Sequence, residues 1–344
     1  MNRIRIGVVG LNVGACVCSN IVNKEGKQYF QLSVVCDLDA HKGNRWRDEH
    51  KATVFTDYDE MLANADIEAV AVMTGPNGRA AMIRKAIRAG KHVMTTKPFE
   101  MDPDAAMQVL QEAERLKKAV FMNSPSPVPS PVISQIARWR DKYRLGEPIG
   151  YRHDIWAGYR EEPDGRWYDD PNLCPAAPML RLGIYPINEM VRIFRDPVQV
   201  HVTQSRIFTQ RPTADNVQMT VLFKNGAIGS HFASFCVRDG QSCRRPLILN
   251  FENGTITSSM EPVAGETHMM TVSAMRDGRR ETDHAECHDT LREYPWSVLH
   301  RTIMGENIDG LVTKEEIVNA VRILCAMRRS SQSGLPEQTS LAGA

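Results

Sequence analysis

The first 37 residues constrain the fold of this chain more than any other stretch. Residues 3–9 form a short apolar run that predicts a buried strand, and a turn that contains two glycines follows at once. A helical stretch over residues 13–22 and a second apolar strand over residues 32–36 then lead to Asp37. Strand, glycine turn, helix, strand and acid in this order are typical of a dinucleotide-binding βαβ unit.

The glycine turn matches the template G-x-G-x-x-G only in part. Gly10 occupies the first glycine position, but Asn12 occupies the second and Ala15 the third. A turn without side chains lets the backbone approach a pyrophosphate, and the N-terminus of the next helix offers free N–H groups and a positive dipole end. We therefore expect Gly10, Asn12 and Val13 to contact a dinucleotide and Asp37 to bind its ribose. A purely structural βα turn is the alternative.

Strands and helices alternate from here to about residue 123, which predicts a doubly wound parallel sheet, the Rossmann arrangement, over residues 1–123. Ligands bind such sheets at the carboxyl ends of the strands. Two further strands, over residues 67–73 and 92–95, end in polar turns. The residues that we expect at this cofactor edge, besides those of the first turn, are Thr74, Gly75, Pro76, Asn77, Thr96 and Lys97.

Residues 124–344 are expected to form a second domain with a mostly antiparallel sheet. Four prolines between residues 125 and 131 indicate a stiff crossover into it. Residues 158–178 predict a long surface loop, residues 296–304 and 314–329 predict closing helices, and the tail after Ser330 is expected to fray. Strand-like runs from residue 198 to residue 272 are separated by turn signals at Asn225-Gly226, Asp239-Gly240 and Asn253-Gly254.

Composition excludes several classes of function. A formal net charge of +1 gives no basic field for nucleic acid, and no apolar run approaches the roughly 20 residues of a membrane helix. The N-terminus does not read as a signal peptide. The eight cysteines form no C-x-x-C pair, which favours reduced thiols in a cytoplasmic protein. The cluster from His284 to His288 lacks a second ligand pair at zinc spacing, so we expect no metal.

Several motifs lie in a characteristic order over nearly the whole chain. The most specific is Ala89-Gly90-Lys91-His92-Val93 followed by Thr96-Lys97-Pro98, which resembles the A-G-K-H-V…E-K-P stretch of the Gfo/Idh/MocA oxidoreductases. The others are Asp66–Val70, Leu145–Gly150, Leu182-Gly183-Ile184-Tyr185, Asp215-Asn216 with Phe223–Ala227, and Met304-Gly305-Glu306 with Val312-Thr313.

The resemblance implies NAD(P)-dependent oxidation or reduction of a carbon–oxygen bond, usually on a sugar, cyclitol or related polyol. It also implies a C-terminal α/β domain with an open sheet, whose outer face forms homodimers or homotetramers. Three departures bear on activity: Thr96 replaces the Glu of E-K-P, Arg181 replaces the Asp of D-x-G-x-H/Y, and residues 175–178 replace a glycine-rich stretch.

Lys97 and Tyr185 are the predicted catalytic residues. Hydride transfer from an alcohol needs a group that takes the hydroxyl proton. Tyr185 follows a glycine at a helix start, and a nearby cation, Lys97 or Arg181, would favour its phenolate. Lys97 would hydrogen-bond the substrate oxygen. The alternatives are that Lys97 faces solvent and that Tyr185 only packs.

The substrate is expected to meet the long aromatic loop and the helix after Tyr185. Its predicted contacts, besides Lys97 and Tyr185, are Trp156, Arg160, Trp167, Arg181 and Asn188, with Tyr159 and Tyr168 as further aromatic surfaces. Aromatic faces suit sugar rings, although they also simply pack. The two arginines suggest an acidic sugar, because arginine binds carboxylates bidentately.

Asp37 favours NAD over NADP, because a carboxylate repels a 2′-phosphate and Leu38 offers no cation. His41 and Lys42 lie close enough to keep NADP open. Two other functions remain alternatives: a catalytically silent dinucleotide-binding sensor or regulator on the same fold, and reduction of an imine or a tetrapyrrole.

Overall fold

The computed structural model describes residues 2–238, 243–261, 267–288, 290 and 293–340. The chain divides into two compact units: unit 1 comprises Met1–Val128 and Arg292–Lys314, and unit 2 comprises Pro129–Leu291 and Glu315–Ala344. The sequence assigns all of residues 124–344 to one domain, whereas in the structure residues 292–314 group with unit 1. The turn expected at Asp239-Gly240 lies outside the described residues.

The helices and strands of the described residues follow in chain order. The helices are α1 (Leu11–Asn23), α2 (His41–His50), α3 (Tyr58–Asn64), α4 (Arg79–Arg88), α5 (Pro103–Arg115), α6 (Pro131–Tyr143), α7 (Ile184–Phe194), α8 (Trp296–Ile303) and α9 (Lys314–Ser333). The strands are β1 (Ile4–Val9), β2 (Phe30–Cys36), β3 (Thr53–Phe55), β4 (Ala69–Val72), β5 (His92–Thr95), β6 (Val120–Met122), β7 (Pro148–His153), β8 (Ile155–Trp156), β9 (Pro197–Ser205), β10 (Asn216–Phe223), β11 (Ile228–Ser234), β12 (Leu247–Phe251), β13 (Gly254–Glu261), β14 (Thr267–Arg276), β15 (Arg279–His288) and β16 (Glu337–Gln338).

Unit 1 is built on a parallel sheet with the order β3-β2-β1-β4-β5-β6, which confirms the predicted doubly wound arrangement. Strand β1 lies in the middle, with Val8 opposite Val35 on one side and Ala71 on the other. All of these side chains are fully buried. Continuous apolar strands are expected where helices cover both faces of a sheet.

Residues late in the chain complete the core of unit 1. Trp296 and Leu299 of α8 are fully buried in the cluster that contains Phe30 and Ile21. The ring centroids of Trp296 and Phe30 lie 5.4 Å apart. A buried tryptophan contributes a large apolar area, so α8 is an integral part of unit 1. The sequence identifies this helix but places it in the wrong domain.

Side chains at the helix starts explain two boundaries. The carboxylate of Asp102 accepts hydrogen bonds from the N–H groups of Asp104 and Ala105, and Pro103 occupies the first turn of α5. Ser130 receives a bond from Ile133 in the same way at the start of α6. N-cap oxygens of this kind satisfy amides that the helix leaves unpaired.

Unit 2 contains one large, mostly antiparallel sheet. Among the described residues its order is β15-β14-β13-β12-β7-β11-β10-β9-β16, with β8 paired to β11. Strand β11 runs parallel to β7 and β8, and the other neighbours are antiparallel. Turns at the predicted Asn225-Gly226 and Asn253-Gly254 join β10 to β11 and β12 to β13.

Two expectations for unit 2 are wrong in detail. The tail after Ser330 does not fray at once, because α9 continues to Ser333 and β16 pairs with β9. The stretch over residues 158–178 is not simply a surface loop: it contains a short 3₁₀ helix, Trp167–Asp169, and Cys174 is fully buried. All eight cysteines are free thiols.

Candidate functional site

Gly10 and Gly14 shape the turn between β1 and α1. Gly10 is the N-cap of α1 with φ of 85°, and a Cβ there would lie 3.0 Å from the carbonyl oxygen of Met73. Only glycine adopts this left-handed conformation without strain. A Cβ on Gly14 would lie 2.9 Å from Cγ1 of Val8. Gly14, and not Ala15 as the template suggests, is therefore the small residue that lets α1 pack closely on β1.

The amides of Asn12 and Val13 have the geometry of an anion site. They are the second and third residues of α1, where N–H groups have no acceptor within the helix. The N-cap residue, Gly10, has no side chain to cap these two amides, and Val13 is 41% exposed. Free amides at a helix N-terminus are the groups that bind phosphates in other proteins, so contact of this turn with a pyrophosphate stays a prediction.

Asp37 directly follows β2, and its side chain also holds the turn between β1 and α1 in place. Its Oδ2 accepts a 2.7 Å hydrogen bond from the N–H of Leu11, and its Oδ1 accepts bonds from the N–H of Asp39 (3.1 Å) and Nζ of Lys42 (3.3 Å). Burial raises the pKa of the Asp37 carboxyl, but these hydrogen bonds outweigh it and lower the pKa. Each carboxylate oxygen has two lone-pair positions, so the group keeps capacity for a ribose hydroxyl.

The polar turns after β4 and β5 lie beside one another at the same edge of the sheet. Val72 pairs with Thr95 at the strand ends, and Oγ1 of Thr95 donates a 2.8 Å bond to the carbonyl of Val72. The N–H of Lys97 donates a 3.1 Å bond to the carbonyl of Ser124 beyond β6. The structure therefore brings the following predicted residues to the carboxyl ends of the central strands of unit 1: Gly10, Asn12, Val13, Asp37, Thr74, Gly75, Pro76, Asn77, Thr96 and Lys97.

Sequence reasoning missed two buried charges in these turns. Arg79, at the start of α4, donates through Nη1 to the carbonyls of Thr96 (2.6 Å) and Pro98. The carboxylate of Glu100 accepts bonds from the N–H groups of Gly78 (3.2 Å) and Ala80 (2.7 Å). The sequence offered one signal for Arg79. The helix dipole disfavours a cation in the first turn of a helix, so an arginine there suggests a specific role.

Tyr185 lies in the first turn of α7 in unit 2. A stretch of π-helix, Met179–Gly183, directly precedes it and carries Arg181. Short π-helical segments are frequent at functional sites. Asn188, one turn further, is buried, and its Nδ2 donates a 2.7 Å bond to the carbonyl of Ile184. This bond occupies one of the donors that we expected to be available to substrate.

Arg181 already has a carboxylate partner within unit 2. Its two terminal nitrogens bind both oxygens of Glu161 at 2.6 and 2.9 Å. The guanidinium also lies over the ring of Tyr168, 4.2 Å from its centroid, and 4.9 Å from that of Phe235. The hydrogen bond from Arg181 lowers the pKa of Glu161 despite its partial burial. Sequence reasoning missed Glu161, which weakens the expectation that Arg181 binds an acidic sugar.

A second arginine, Arg211, organises the aromatic loop. Its guanidinium binds Glu161 (3.2 Å), Asp164 (3.2 Å) and Asp169, all in the loop over residues 158–178. Only 7% of the Arg211 side chain is exposed. This cluster fixes the loop that carries Trp167, although nothing local in the sequence links residue 211 to it.

The other predicted substrate residues are also in unit 2. The guanidinium of Arg160 lies 4.3 Å from the ring centroid of Phe208. Trp156 ends β8, where its backbone bridges to Arg244, and the ring of Trp167 lies 4.2 Å from that of Tyr168. These aromatic residues have packing partners, so contact with a substrate stays a prediction.

Among the residues that the structure describes, no group of three or more His, Cys, Asp and Glu side chains is arranged to hold a metal ion. No helix within the same residues combines the length and apolarity needed to cross a bilayer.

Parts of the sequence are similar to those of other oxidoreductases. The dTDP-3,4-didehydro-2,6-dideoxy-alpha-D-glucose 3-reductase of Actinomadura kijaniata is 26% identical over 195 residues, which are 54% of this chain and 54% of the reductase. The uncharacterized oxidoreductase C115.03 of Schizosaccharomyces pombe is 29% identical over 162 residues, 43% of this chain and 39% of that protein. The match thus spans about half, or less, of the length of these relatives.

The fold is shared over a greater length. GenD2 from gentamicin A biosynthesis, solved in complex with NAD, has a TM-score of 0.76 at 18% identity and covers 99% of this chain and 97% of its own. Residues 4–124 match the model described as the oxidoreductase family with an NAD-binding Rossmann fold, and residues 133–257 match the GFO/IDH/MocA C-terminal domain. The chain therefore belongs to the Gfo/Idh/MocA family of NAD-binding oxidoreductases.

Proposed function

We propose that this protein is an NAD(P)-dependent dehydrogenase or reductase that acts at a CH–OH or C=O carbon of a sugar, cyclitol or related polyol. The observation that carries the proposal is the turn after β1, where Gly10, Asp37 and two open amides fit a pyrophosphate and its ribose. The match to a dTDP-sugar reductase and the fold likeness to an NAD complex support it.

Lys97 and Tyr185 are the residues to which we assign the proton chemistry. The chemistry that a bound nicotinamide supplies is hydride transfer. The ammonium of Lys97 would hydrogen-bond the substrate oxygen and stabilise the charge that develops on it. The phenol of Tyr185 would exchange the hydroxyl proton. The positions of Lys97 after β5 and of Tyr185 in the first turn of α7 support these roles.

We propose NAD as the preferred cofactor, with NADP as the weaker one. The Asp37 carboxylate is ionised at neutral pH and would repel a 2′-phosphate, and Leu38 beside it is 95% exposed and uncharged. Lys42 is the nearby cation, and it already binds Oδ1 of Asp37.

A neutral substrate is favoured over a sugar acid. The bidentate pair with Glu161 neutralises Arg181, and an added substrate carboxylate would have to compete with it. Aromatic rings of Trp156 and Trp167 remain the proposed surfaces for a sugar ring, with Arg160 and Asn188 as polar neighbours.

We also propose a homodimer or homotetramer formed through the sheet of unit 2. Alternation along the strands places Ile228, Ile248, Met269 and Met275 on one face of this sheet, and each is between 39% and 55% exposed. Large apolar side chains exposed on one face of a sheet are candidates for an interaction surface. Analytical ultracentrifugation of wild type and Ile248→Lys tests this. A charge at this position should dissociate the oligomer and lower the sedimenting mass.

A catalytically silent dinucleotide sensor is the second candidate. It is favoured by Arg181, which stands where the family has an acid and is paired with Glu161. Both candidates bind dinucleotide, so only turnover separates them.

Calorimetric titration with NADH and with NADPH, followed by a sugar, cyclitol and polyol activity panel, tests the proposal. We expect tighter binding of NADH and turnover of a neutral polyol or sugar. Binding of neither dinucleotide would reject the cofactor site, and binding without any turnover would favour the sensor.

A further inference from the structure

Two charged side chains are buried between the turns that follow β4 and β5. Arg79 is 1% exposed and Glu100 is 2% exposed. Charged groups are rarely buried to this extent unless they are paired and hydrogen-bonded. Neither residue belongs to the glycine turn or to the predicted proton chemistry, so their burial requires another explanation.

Arg79 reaches from α4 to the turn that contains Lys97. Its Nη1 donates to the carbonyls of Thr96, Pro98 and Phe99, and its Nη2 donates to the carbonyl of Thr74. The carbonyls of Thr96 and Pro98 belong to the residues on either side of Lys97. One guanidinium therefore fixes the backbone before and after the lysine.

Glu100 reaches in the opposite direction. Its Oε2 accepts a bond from the N–H of Ala80 (2.7 Å), and its Oε1 accepts bonds from Gly78 (3.2 Å) and Met101 (2.7 Å). Gly78 is the N-cap of α4 and offers no side-chain cap. The carboxylate takes the place of that cap and is favoured by the helix dipole.

We propose that Arg79 and Glu100 are positioning residues, which hold Lys97 at the point where the substrate oxygen is bound; this inference rests on the proposed function. The two contacts are reciprocal, because each charge is anchored in one turn and bonds the backbone of the other. Lys97 thus lies on a segment held on both sides.

The electrostatics agree with this role. Burial lowers the pKa of Arg79 to about 10, and the charge of Glu100 opposes that effect. The guanidinium therefore stays protonated near neutral pH. Thr96 replaces the carboxylate of E-K-P, yet the same turn still contains a buried carboxylate, at Glu100.

A merely structural tie between α4 and α5 already exists elsewhere. Arg84 and Arg88 of α4 bind Glu112 of α5 at 3.0 and 2.6 Å. This tie lies away from both turns. Arg84→Met is therefore a control, since it removes one arginine of α4 that binds a glutamate without touching the backbone around Lys97.

The variants are Glu100→Gln, which keeps the shape, and the double variant Arg79→Met with Glu100→Gln, which removes both charges together. The readout is the NMR signal of ¹³C-dimethylated Lys97, assigned with Lys97→Arg, with and without NADH. It needs no turnover. A second readout is kcat and KM on the substrate found in the activity panel.

We expect the Lys97 signal of both variants to move from its wild-type position, and kcat to fall at least about fivefold, by a larger factor than the KM for NADH rises. Arg84→Met should match wild type in both. An unmoved signal in folded Glu100→Gln would overturn the positioning role, and this variant decides if the double variant does not fold. Absence of NADH binding in wild type would instead reject the proposed function, and the signal without NADH would still test the positioning.

Discussion

The carboxylate of Asp37 accepts a 2.7 Å hydrogen bond from the N–H of Leu11, so the acid that ends β2 also fixes the turn that ends β1. Asp37→Ala should therefore weaken NADH binding about tenfold or more, because it removes a ribose acceptor and loosens the turn. It should also narrow the preference for NADH over NADPH. Calorimetry of Asp37→Ala beside Lys42→Ala checks this. Unchanged NADH affinity in Asp37→Ala would contradict the assignment.

Gly14→Ala should destabilise the protein by about 1–3 kcal/mol, because its Cβ would lie 2.9 Å from Cγ1 of Val8. The double variant Gly14→Ala with Val8→Ala should recover part of the lost stability, because the clash with Cγ1 is removed. The recovery is partial, because Val8→Ala also removes buried apolar contacts. Gly75→Ala is the control, since no atom lies within 4 Å of its added Cβ. Urea unfolding measures all three, and a neutral Gly14→Ala would show that the close packing is not required.

Tyr185→Phe should bind NADH like wild type and lose turnover by about a hundredfold or more, because it removes only the phenol proton donor and acceptor. Steady-state kinetics on the substrate from the activity panel measures the loss, with Tyr159→Phe as a matched control from the aromatic loop. Full turnover in Tyr185→Phe would exclude the acid/base role.

The ion pairs of Arg211 with its carboxylates should make the free energy of unfolding depend on pH in the acidic range. The hydrogen bond from Arg211 lowers the pKa of Asp164 to about 2, and that from Arg181 lowers the pKa of Glu161. A carboxyl group whose pKa is lower in the folded state than in the unfolded state stabilises the folded protein at pH values above its unfolded-state pKa. This stabilisation is lost as the pH falls through its folded-state pKa. The cluster should therefore stabilise the protein fully above about pH 5 and lose its effect toward about pH 2.

Arg211→Met tests this pH dependence. It should lower the free energy of unfolding by about 2 kcal/mol at pH 7, because the carboxylates lose the cation that binds them. The difference in unfolding free energy from wild type should shrink as the pH is lowered toward 3. Arg140→Met removes a more exposed pair with Glu147 and should cost about 0.5 kcal/mol or less at both pH values. Urea unfolding at each pH provides the measurement. A difference that is independent of pH would contradict the account.

The sequence was informative where short segments determine the structure. The apolar strands and the acid at Asp37 predicted the parallel sheet and its cofactor edge, because their order along the chain corresponds directly to a βαβ unit. The packing role of Gly14 was not predicted, because the template marks Ala15 as its third position and the close packing depends on Val8 across the interface.

Contacts between distant residues could not be predicted. Arg211 binds the loop more than 40 residues earlier, and Glu100 bonds the start of α4. Nothing in the local pattern of charge or hydropathy distinguishes these side chains from ordinary surface charges. The same limitation explains why Trp296 was placed in the wrong domain: its burial depends on Phe30, far away in sequence.

The assignment of residues 292–314 to unit 1 has a consequence for synthesis of the chain. The ribosome finishes the sheet of unit 1 by residue 122, but the core around Phe30 lacks Trp296 and Leu299 until residues 129–291 of unit 2 have been made. An N-terminal fragment that stops at residue 128 would expose this apolar surface and should aggregate. The dinucleotide-binding unit can therefore reach its final state only late in translation.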